Sequence, residues 1–198
     1  MIRYFIILLL FPSLVSAIEI DVWLTNGTIY DGKSLDSYIG NIAINNGKII
    51  DLAKNKEVTA KLVIDCTGRI ICPGFIDLHN HSDNQVVAAA TRANINYLLQ
   101  GCTTIVTGNC GSGPVNVDKY YTAINQAGSG TNVIHLLAQG SLRREVMGSE
   151  RRQATSKEQA TMLELADKAM SDGAWGMSTG LIYVPSSYAD TAEITAIA

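Results

Sequence analysis

The chain has 198 residues, of which 47% are hydrophobic and 17% are charged, and this is the composition of an ordinary globular protein of one domain or slightly more. Its net charge is −3, and it has no basic patch. Nucleic acids and acidic membrane surfaces are therefore not expected as partners, because both attract proteins through clustered positive charge.

The first 17 residues predict a cleaved secretory signal peptide. Arg3 supplies positive charge, an apolar run follows from Tyr4 to Leu14, and Val15-Ser16-Ala17 has small residues at the positions that a signal peptidase reads. The run is too short for a comfortable membrane span, and Pro12 interrupts it. We therefore expect cleavage after Ala17, export to the periplasm or the medium, and no stable membrane span afterwards. An uncleaved N-terminal anchor is the alternative.

Residues 18–70 predict a small antiparallel β unit that forms part of a β-sandwich. Short apolar segments are separated by Asn26-Gly27, Asp31-Gly32 and Asn46-Gly47, which are strong signals for tight hairpin turns. Cys66 and Cys72 flank a further turn and could be neighbours on adjacent strands, although the sequence alone does not decide any disulfide pairing. A sheet of this size has one face to bury, so it needs further strands or a neighbouring domain.

The second part of the chain, residues 71–198, begins with a short strand that ends in two histidines. The apolar run after Pro73-Gly74 predicts this buried strand. His79 and His81 are two residues apart, so their side chains should project to the same side. Two adjacent imidazoles suit a divalent metal such as zinc. In a parallel β/α barrel, the C-terminal ends of the strands are where chemistry takes place.

The remaining sequence predicts strands that alternate with helices, which is typical of βαβ units and a parallel sheet. After the strand at Phe75, the predicted strands are Thr103–Thr107, Asn132–Ala138 and Trp175–Ser178. The predicted helices lie between Asn84 and Leu99, around Asp118–Ala127, over Thr155–Asp172 and after Asp190 or Thr191. We expect the four strands to be parallel and adjacent in chain order, with His79, His81 and Cys110 converging at their C-terminal ends.

Four segments carry further information when they are taken together: Pro73–His81, Gln100–Gly111, Leu142-Arg143 with Val146-Met147, and Gly173–Tyr183. In this order they resemble the D-aminoacylases, which are the N-acyl-D-amino-acid deacylases of the amidohydrolase superfamily. The resemblance runs from about Asp21 to the last residue. It implies a (β/α)8 barrel of the TIM type with a small β-sandwich domain. It also implies metal-dependent hydrolysis of the linear amide bond of small-molecule N-acyl-D-amino acids.

The resemblance also implies roles for individual residues. His79 and His81 match the family's metal-binding His-x-His pair, and Cys110 matches its cysteine metal ligand. The complete enzyme would hold one or two divalent ions, with zinc expected, and a thiolate is a good zinc ligand. Tyr183 matches a tyrosine at the mouth of the family's site and is a candidate contact for the substrate carboxylate. Cys102 precedes its strand, so we expect it to pack at the opposite end.

Several positions depart from the family pattern. Gln139 stands where the family usually has histidine, and we assign it no role. We expect His135, on the same predicted strand, to be structural. Asp77 lies only two residues before His79, so it is a candidate for supporting a ligand and not for a general base. The family's later metal-binding histidines and its catalytic aspartate lie on strands beyond Tyr183, so no catalytic residue is assigned in this sequence.

Residues 71–198 should form about half of a barrel, since a complete one needs roughly 250 residues. We accordingly expect these 198 residues alone not to catalyse. Two alternatives stay open. One is a cyclic-amide hydrolase, dihydroorotase-like or hydantoinase-like, or a dipeptidase on the same scaffold, although such relatives usually have a lysine in place of Cys110. The other is a truncated product that is inactive or serves as a binding fragment.

Overall fold

The structure is a computed structural model that describes residues 17–51 and 58–198. The chain divides into two compact units between Pro73 and Gly74. The predicted signal peptide, residues 1–17, lies outside the described residues except for Ala17. Within the described ranges, no helix is both long and apolar enough to cross a membrane.

The first unit contains a mixed five-stranded sheet built around its first strand. The strands are β1 (Ile18–Ile29), β2 (Tyr38–Asn45), β3 (Lys48–Ile50), β4 (Val58–Asp65) and β5 (Ile70–Ile71). β1 pairs antiparallel with β2, which pairs antiparallel with β3, but β1 pairs parallel with both β4 and β5. The prediction of an antiparallel unit is therefore confirmed for β1, β2 and β3 and was wrong for β4 and β5. Parallel pairing requires a crossover connection, and signals for tight turns do not report one.

The turn signals of this unit had different outcomes. Asn46 and Gly47 have φ angles of 51° and 70°, and they form the predicted two-residue turn between β2 and β3. Asn26-Gly27 does not form a hairpin. Asn26 has a φ of 58°, and the register between β1 and β2 shifts between Leu24 and Gly27. The pair is a β-bulge within one long strand, because β1 keeps the same partner on both sides of it.

The second unit alternates strands with helices. Its strands are β6 (Phe75–Asp77), β7 (Cys102–Thr107), β8 (Asn132–His135), β9 (Leu137–Ala138) and β10 (Met177–Ser178). Its helices are α1 (Ile95–Leu98), α2 (Val117–Ala127), α3 (Gln139–Met147), α4 (Ser156–Ser171) and α5 (Thr191–Ile197), with 3₁₀ turns at Asn109–Gly111 and Ser186–Tyr188. β6, β7 and β8 are parallel neighbours in chain order, and β9 is parallel to β10. These pairings confirm the predicted strand order and direction.

Three elements of this unit differ from the prediction. The strand expected at Asn132–Ala138 is interrupted at Leu136, so that β8 and β9 belong to separate sheets. Residues 139–147 form α3, which was not predicted because Gly140 and Ser141 are weak helix formers. The helix is stabilised instead by the burial of Leu142 and Met147. The helical turns predicted between residues 84 and 99 are reduced to the short α1. Asn94 adopts a left-handed conformation, so the helix begins only after it.

Two apolar clusters form the core of the second unit. One joins α3 and α4 to β9, and its buried members are Val117, Leu137, Leu142, Met147, Met162, Ala166, Ala169 and Ala174. The other joins α2 to β7 through Val86, Ile105, Tyr120 and Ile124. Each buried side chain of leucine or methionine size contributes roughly 1.5–3 kcal/mol. The helices therefore hold β7 and β9 in place, together with the loops that follow these strands.

Candidate metal centre

Three potential metal ligands lie together just beyond β6 and β7. His79 and His81 follow β6, and Cys110 follows β7. One ligand atom from each of the three residues lies within 4.8 Å of the other two. The two imidazole rings have centroids 5.5 Å apart, and Cys110 Sγ is 3.3 Å from His79 Nε2. The structure therefore brings together the three residues that the sequence predicted as ligands.

Two side chains fix the backbone of the histidine segment through hydrogen bonds. Asp77 Oδ1 accepts a hydrogen bond from the His79 backbone N–H at 3.1 Å. Asn80 is buried, donates from Nδ2 to the carbonyl of Val106 at 3.0 Å, and accepts from the Ser82 N–H at 3.1 Å. His79 and His81 on either side of it are exposed. Burial of the central asparagine thus presents both imidazoles to solvent.

Cys110 occupies a turn that a residue with a β-carbon adopts reluctantly. Its φ and ψ are 54° and 30°, and its neighbours Gly108 and Gly111 also have positive φ, 80° and 68°. A left-handed conformation at a non-glycine residue costs roughly 1–3 kcal/mol, so the surroundings must hold it. Asp83 Oδ1 accepts from the Gly108 N–H at 2.7 Å, and Asn109 Nδ2 donates to the Val106 carbonyl at 2.7 Å.

Ser178, at the end of β10, clamps the same turn. Its hydroxyl donates to the carbonyl of Gly108 and accepts from the N–H of Gly111 at 3.0 Å. Gly180 lies so close that an added β-carbon would collide with the carbonyl oxygen of Cys110. Sequence reasoning placed Ser178 and Gly180 in a family segment but did not recognise that they position Cys110. A polar residue at the end of a strand was the available signal.

A cavity of about 430 Å³ opens beside the cluster. Its lining residues are His81, Cys110, Gly111, Ser112, Gly140, Ser141, Arg144, Tyr183, Val184, Pro185 and Ser186. This volume is within the range of sites that bind small molecules. Tyr183, the predicted substrate contact, therefore lies in the wall of a cavity that also contains two of the candidate ligands. Arg144 is the only permanently charged residue among the described residues that line it.

Residues 62–198 match the family model described as "Amidohydrolase family". The chain belongs to this family. An N-acyl-D-aspartate deacylase of Alcaligenes xylosoxydans is 33% identical over 199 aligned residues, which cover 89% of the chain and 40% of the relative. A D-aminoacylase of the same organism is 31% identical, with 88% of the chain and 40% of the relative covered. The amidohydrolase chain thus spans about 40% of the length of these curated relatives.

A solved structure agrees with the fold of this amidohydrolase. An N-acyl-D-glutamate deacylase from Bordetella bronchiseptica aligns with a TM-score of 0.83 and 29% identity, over 91% of this chain and 42% of that one. That deacylase was solved in complex with zinc and a phosphonate inhibitor that mimics the tetrahedral intermediate of its reaction.

The cluster of the amidohydrolase fits a zinc ion by the chemistry of its donors. Imidazole nitrogen and thiolate sulfur are both common zinc ligands. The 3.3 Å between His79 Nε2 and Cys110 Sγ is a separation that two ligands of one ion can have when their bonds are about 2.0–2.3 Å long. Among the described residues, these three form the group of potential ligands whose donor atoms lie within 4.8 Å of one another.

His135 lies near the cluster of the amidohydrolase but is fully buried. Its Nε2 is 2.9 Å from the carbonyl of Pro114, and its Nδ1 is 2.9 Å from Thr107 Oγ1. Burial lowers the pKa of the imidazole below its usual 6.5. The neutral ring donates to Pro114 and accepts from Thr107. Both nitrogens are occupied by protein partners, as a structural role requires.

Gln139 also lies in the interior of the amidohydrolase, within a polar network that joins α3 to α5. Its Nε2 donates to Glu193 Oε1 at 3.2 Å, and Glu193 forms a buried ion pair with Arg143. Arg143 also donates to the carbonyl of Arg152. This network was not predicted, since α3 and α5 are distant in the sequence.

Proposed function

We propose that this protein is a zinc-dependent hydrolase of the linear amide bond of N-acyl-D-amino acids, with His79, His81 and Cys110 as metal ligands. The observation that carries the proposal is the position of the Cys110 thiol, 3.3 Å from an imidazole nitrogen and in the wall of a cavity of small-molecule size. The relatives with deacylase names, and the zinc in one of their structures, support it.

In this proposal, one set of residues binds the metal and Tyr183 binds the substrate. His79 and His81 offer neutral nitrogens, while Cys110 offers a thiolate that neutralises part of the charge of the ion. When bound, zinc polarises the amide carbonyl and lowers the pKa of a coordinated water. The turn held by Ser178 and Asp83 keeps the thiol in place without help from the metal. Such preorganisation favours tight binding.

Tyr183 would orient the substrate. Its phenol is a neutral hydrogen-bond donor in the wall of the cavity, suited to the α-carboxylate of an N-acyl amino acid. Residues 71–198 would form about half of the family's barrel. The carboxylate that accepts the proton of the attacking water is proposed to come from the later strands of that barrel. The hydrophobic N-terminus suggests that the protein works after export.

Replacement of Cys110 by alanine tests this function. We expect zinc to fall from about one ion per chain to well below that level. The affinity should drop by more than about a hundredfold, because loss of a ligand should cost more than loss of an outer partner, which costs about 10–100-fold. Cys102→Ala is the matched control, since it removes a thiol at the start of β7. Elemental analysis and zinc titration measure the effect.

The same preparations distinguish the substrate class. The complete zinc-loaded protein should hydrolyse at least one member of a panel of N-acetyl-D-amino acids with neutral and acidic side chains, and Cys110→Ala should abolish this activity while Cys102→Ala retains it. Hydantoin and dihydroorotate should not be turned over. Stoichiometric zinc in Cys110→Ala would refute the ligand assignment. Turnover of only the cyclic amides would refute the substrate assignment.

A further inference from the structure

The cavity beside the candidate metal centre contains one cation that metal binding does not explain. Arg144 lies on α3 and lines the cavity together with His81, Cys110 and Tyr183. Its Nη2 donates to the carbonyl of Val184, another wall residue, at 2.7 Å. None of the described residues that line the cavity is an aspartate or a glutamate.

The adjacent Arg143 differs from Arg144 in that its guanidinium forms an ion pair within the protein. Arg143 is fully buried and is paired with Glu193. Within residues 17–51 and 58–198, Arg144 forms no ion pair, and its one hydrogen bond leaves most of its five N–H donors free. The two neighbours on α3 therefore have different tasks, one inside the fold and the other at the cavity.

A guanidinium in this position is suited to a carboxylate. Its planar donors match the two oxygens of a carboxylate, and such charge-assisted pairs are stronger than neutral hydrogen bonds. The bond to the Val184 carbonyl restrains the side chain, so less conformational entropy is lost when an anion binds.

We propose that Arg144 binds a side-chain carboxylate of the substrate, so that the cavity selects N-acyl derivatives of D-aspartate or D-glutamate. This inference rests on the proposed function, which places the scissile amide at the metal ligands. Tyr183, a neutral donor in the same wall, is then left for the α-carboxylate that every N-acyl amino acid carries. Arg144 is in this sense a specificity-determining residue and not a catalytic one.

The test compares two nearly isosteric ligands that differ in one charge, N-acetyl-D-aspartate and N-acetyl-D-asparagine. Dissociation constants are measured by calorimetry for the complete zinc-loaded protein, and hydrolysis rates are recorded alongside. Arg144→Gln should weaken binding of N-acetyl-D-aspartate roughly tenfold to a hundredfold, which is typical for loss of a hydrogen bond to a charged group. Binding of N-acetyl-D-asparagine should change less than about threefold.

Lys157→Gln is the control, because it removes the same charge from an exposed residue at the start of α4, outside the cavity. It should leave both constants unchanged. An equal loss for both ligands in Arg144→Gln would overturn the proposal by assigning Arg144 to the α-carboxylate, and no loss for either would overturn it as well. If the unmodified protein hydrolyses neutral N-acetyl-D-amino acids in preference to N-acetyl-D-aspartate, this proposal fails while the proposed function stands. If it hydrolyses no N-acetyl-D-amino acid, the proposed function itself fails.

Discussion

The two units of the protein differ in what they bury. In the described part of the first unit, the buried side chains are apolar: Ile20, Ile29, Ala43 and Cys66. The second unit also buries polar side chains: Asn80, Ser82, Asn94, Thr107, Asn109, Thr131, His135, Gln139, Arg143, Ser186 and Glu193. Buried polar groups cost free energy unless they are hydrogen-bonded. The second unit uses them to hold the irregular loops after its strands, and these loops carry the candidate metal centre.

The largest effect that this comparison predicts is loss of the buried ion pair. Arg143→Met leaves Glu193 buried without its cation, and we expect the free energy of unfolding of the second unit to fall by about 3–5 kcal/mol. Urea denaturation, with hydrogen exchange to resolve the units, measures the change. Lys61→Met, which breaks the exposed pair with Asp21 in the first unit, should have no measurable effect.

An equally small effect of both substitutions would remove the energetic distinction between the units. The ion pair between Arg143 and Glu193 would then add little to the stability of the second unit, and the polar network would not account for the position of α5.

A smaller effect is expected from adding a methyl group near Cys110. In Gly180→Ala the new β-carbon meets the carbonyl of Cys110, and the backbone there cannot move without shifting the candidate metal ligand. Overpacking of this kind costs about 1–3 kcal/mol, and zinc affinity should fall with it. Gly27→Ala in the first unit is the matched change, because its nearest neighbour is the flexible end of Ile71.

Zinc titration and denaturation of both alanine variants check this prediction. Gly180→Ala should be affected in both measurements, and Gly27→Ala only modestly in stability. Unchanged zinc affinity in Gly180→Ala would show that the turn tolerates displacement, contrary to the rigid clamp inferred from Ser178.

The smallest predicted effect is a pH dependence confined to the second unit, since all three histidines belong to it. Burial lowers the folded pKa of His135 below 6.5, although the nearby Asp83 carboxylate opposes this shift. The unfolded chain therefore binds a proton more readily than the folded protein. The stabilising contribution is complete above pH 6.5 and is lost as the pH falls from 6.5 through the folded pKa.

Stability measured between pH 5 and pH 8 should reveal this slope. His135→Asn should remove the part of this pH dependence of the unfolding free energy that comes from the buried His135 imidazole. The first unit should show no histidine-dependent change over the same range. A slope that is identical in the variant would mean that His135 titrates alike in both states.

Local sequence patterns determined several parts of this protein. Asn46-Gly47 predicted a hairpin because both residues readily adopt positive φ. α4 was predicted because its apolar residues recur at helical spacing. α2 ends directly before Gly128, and α4 ends two residues before Gly173, the glycines expected to stop them. His79, His81 and Cys110 were identified from short motifs, and the structure places them together at strand ends.

Tertiary structure alone decided the remaining features. β4 and β5 run parallel to β1, a pairing that connects segments distant in the chain. α3 forms in a segment of weak helix propensity, because burial outweighed local preference there. Ser178 reaches the Cys110 turn across 70 residues, and Arg143 meets Glu193 across 50. A local pattern reports the conformation of a few consecutive residues. Which distant side chains satisfy a buried donor or acceptor is settled only when the chain packs.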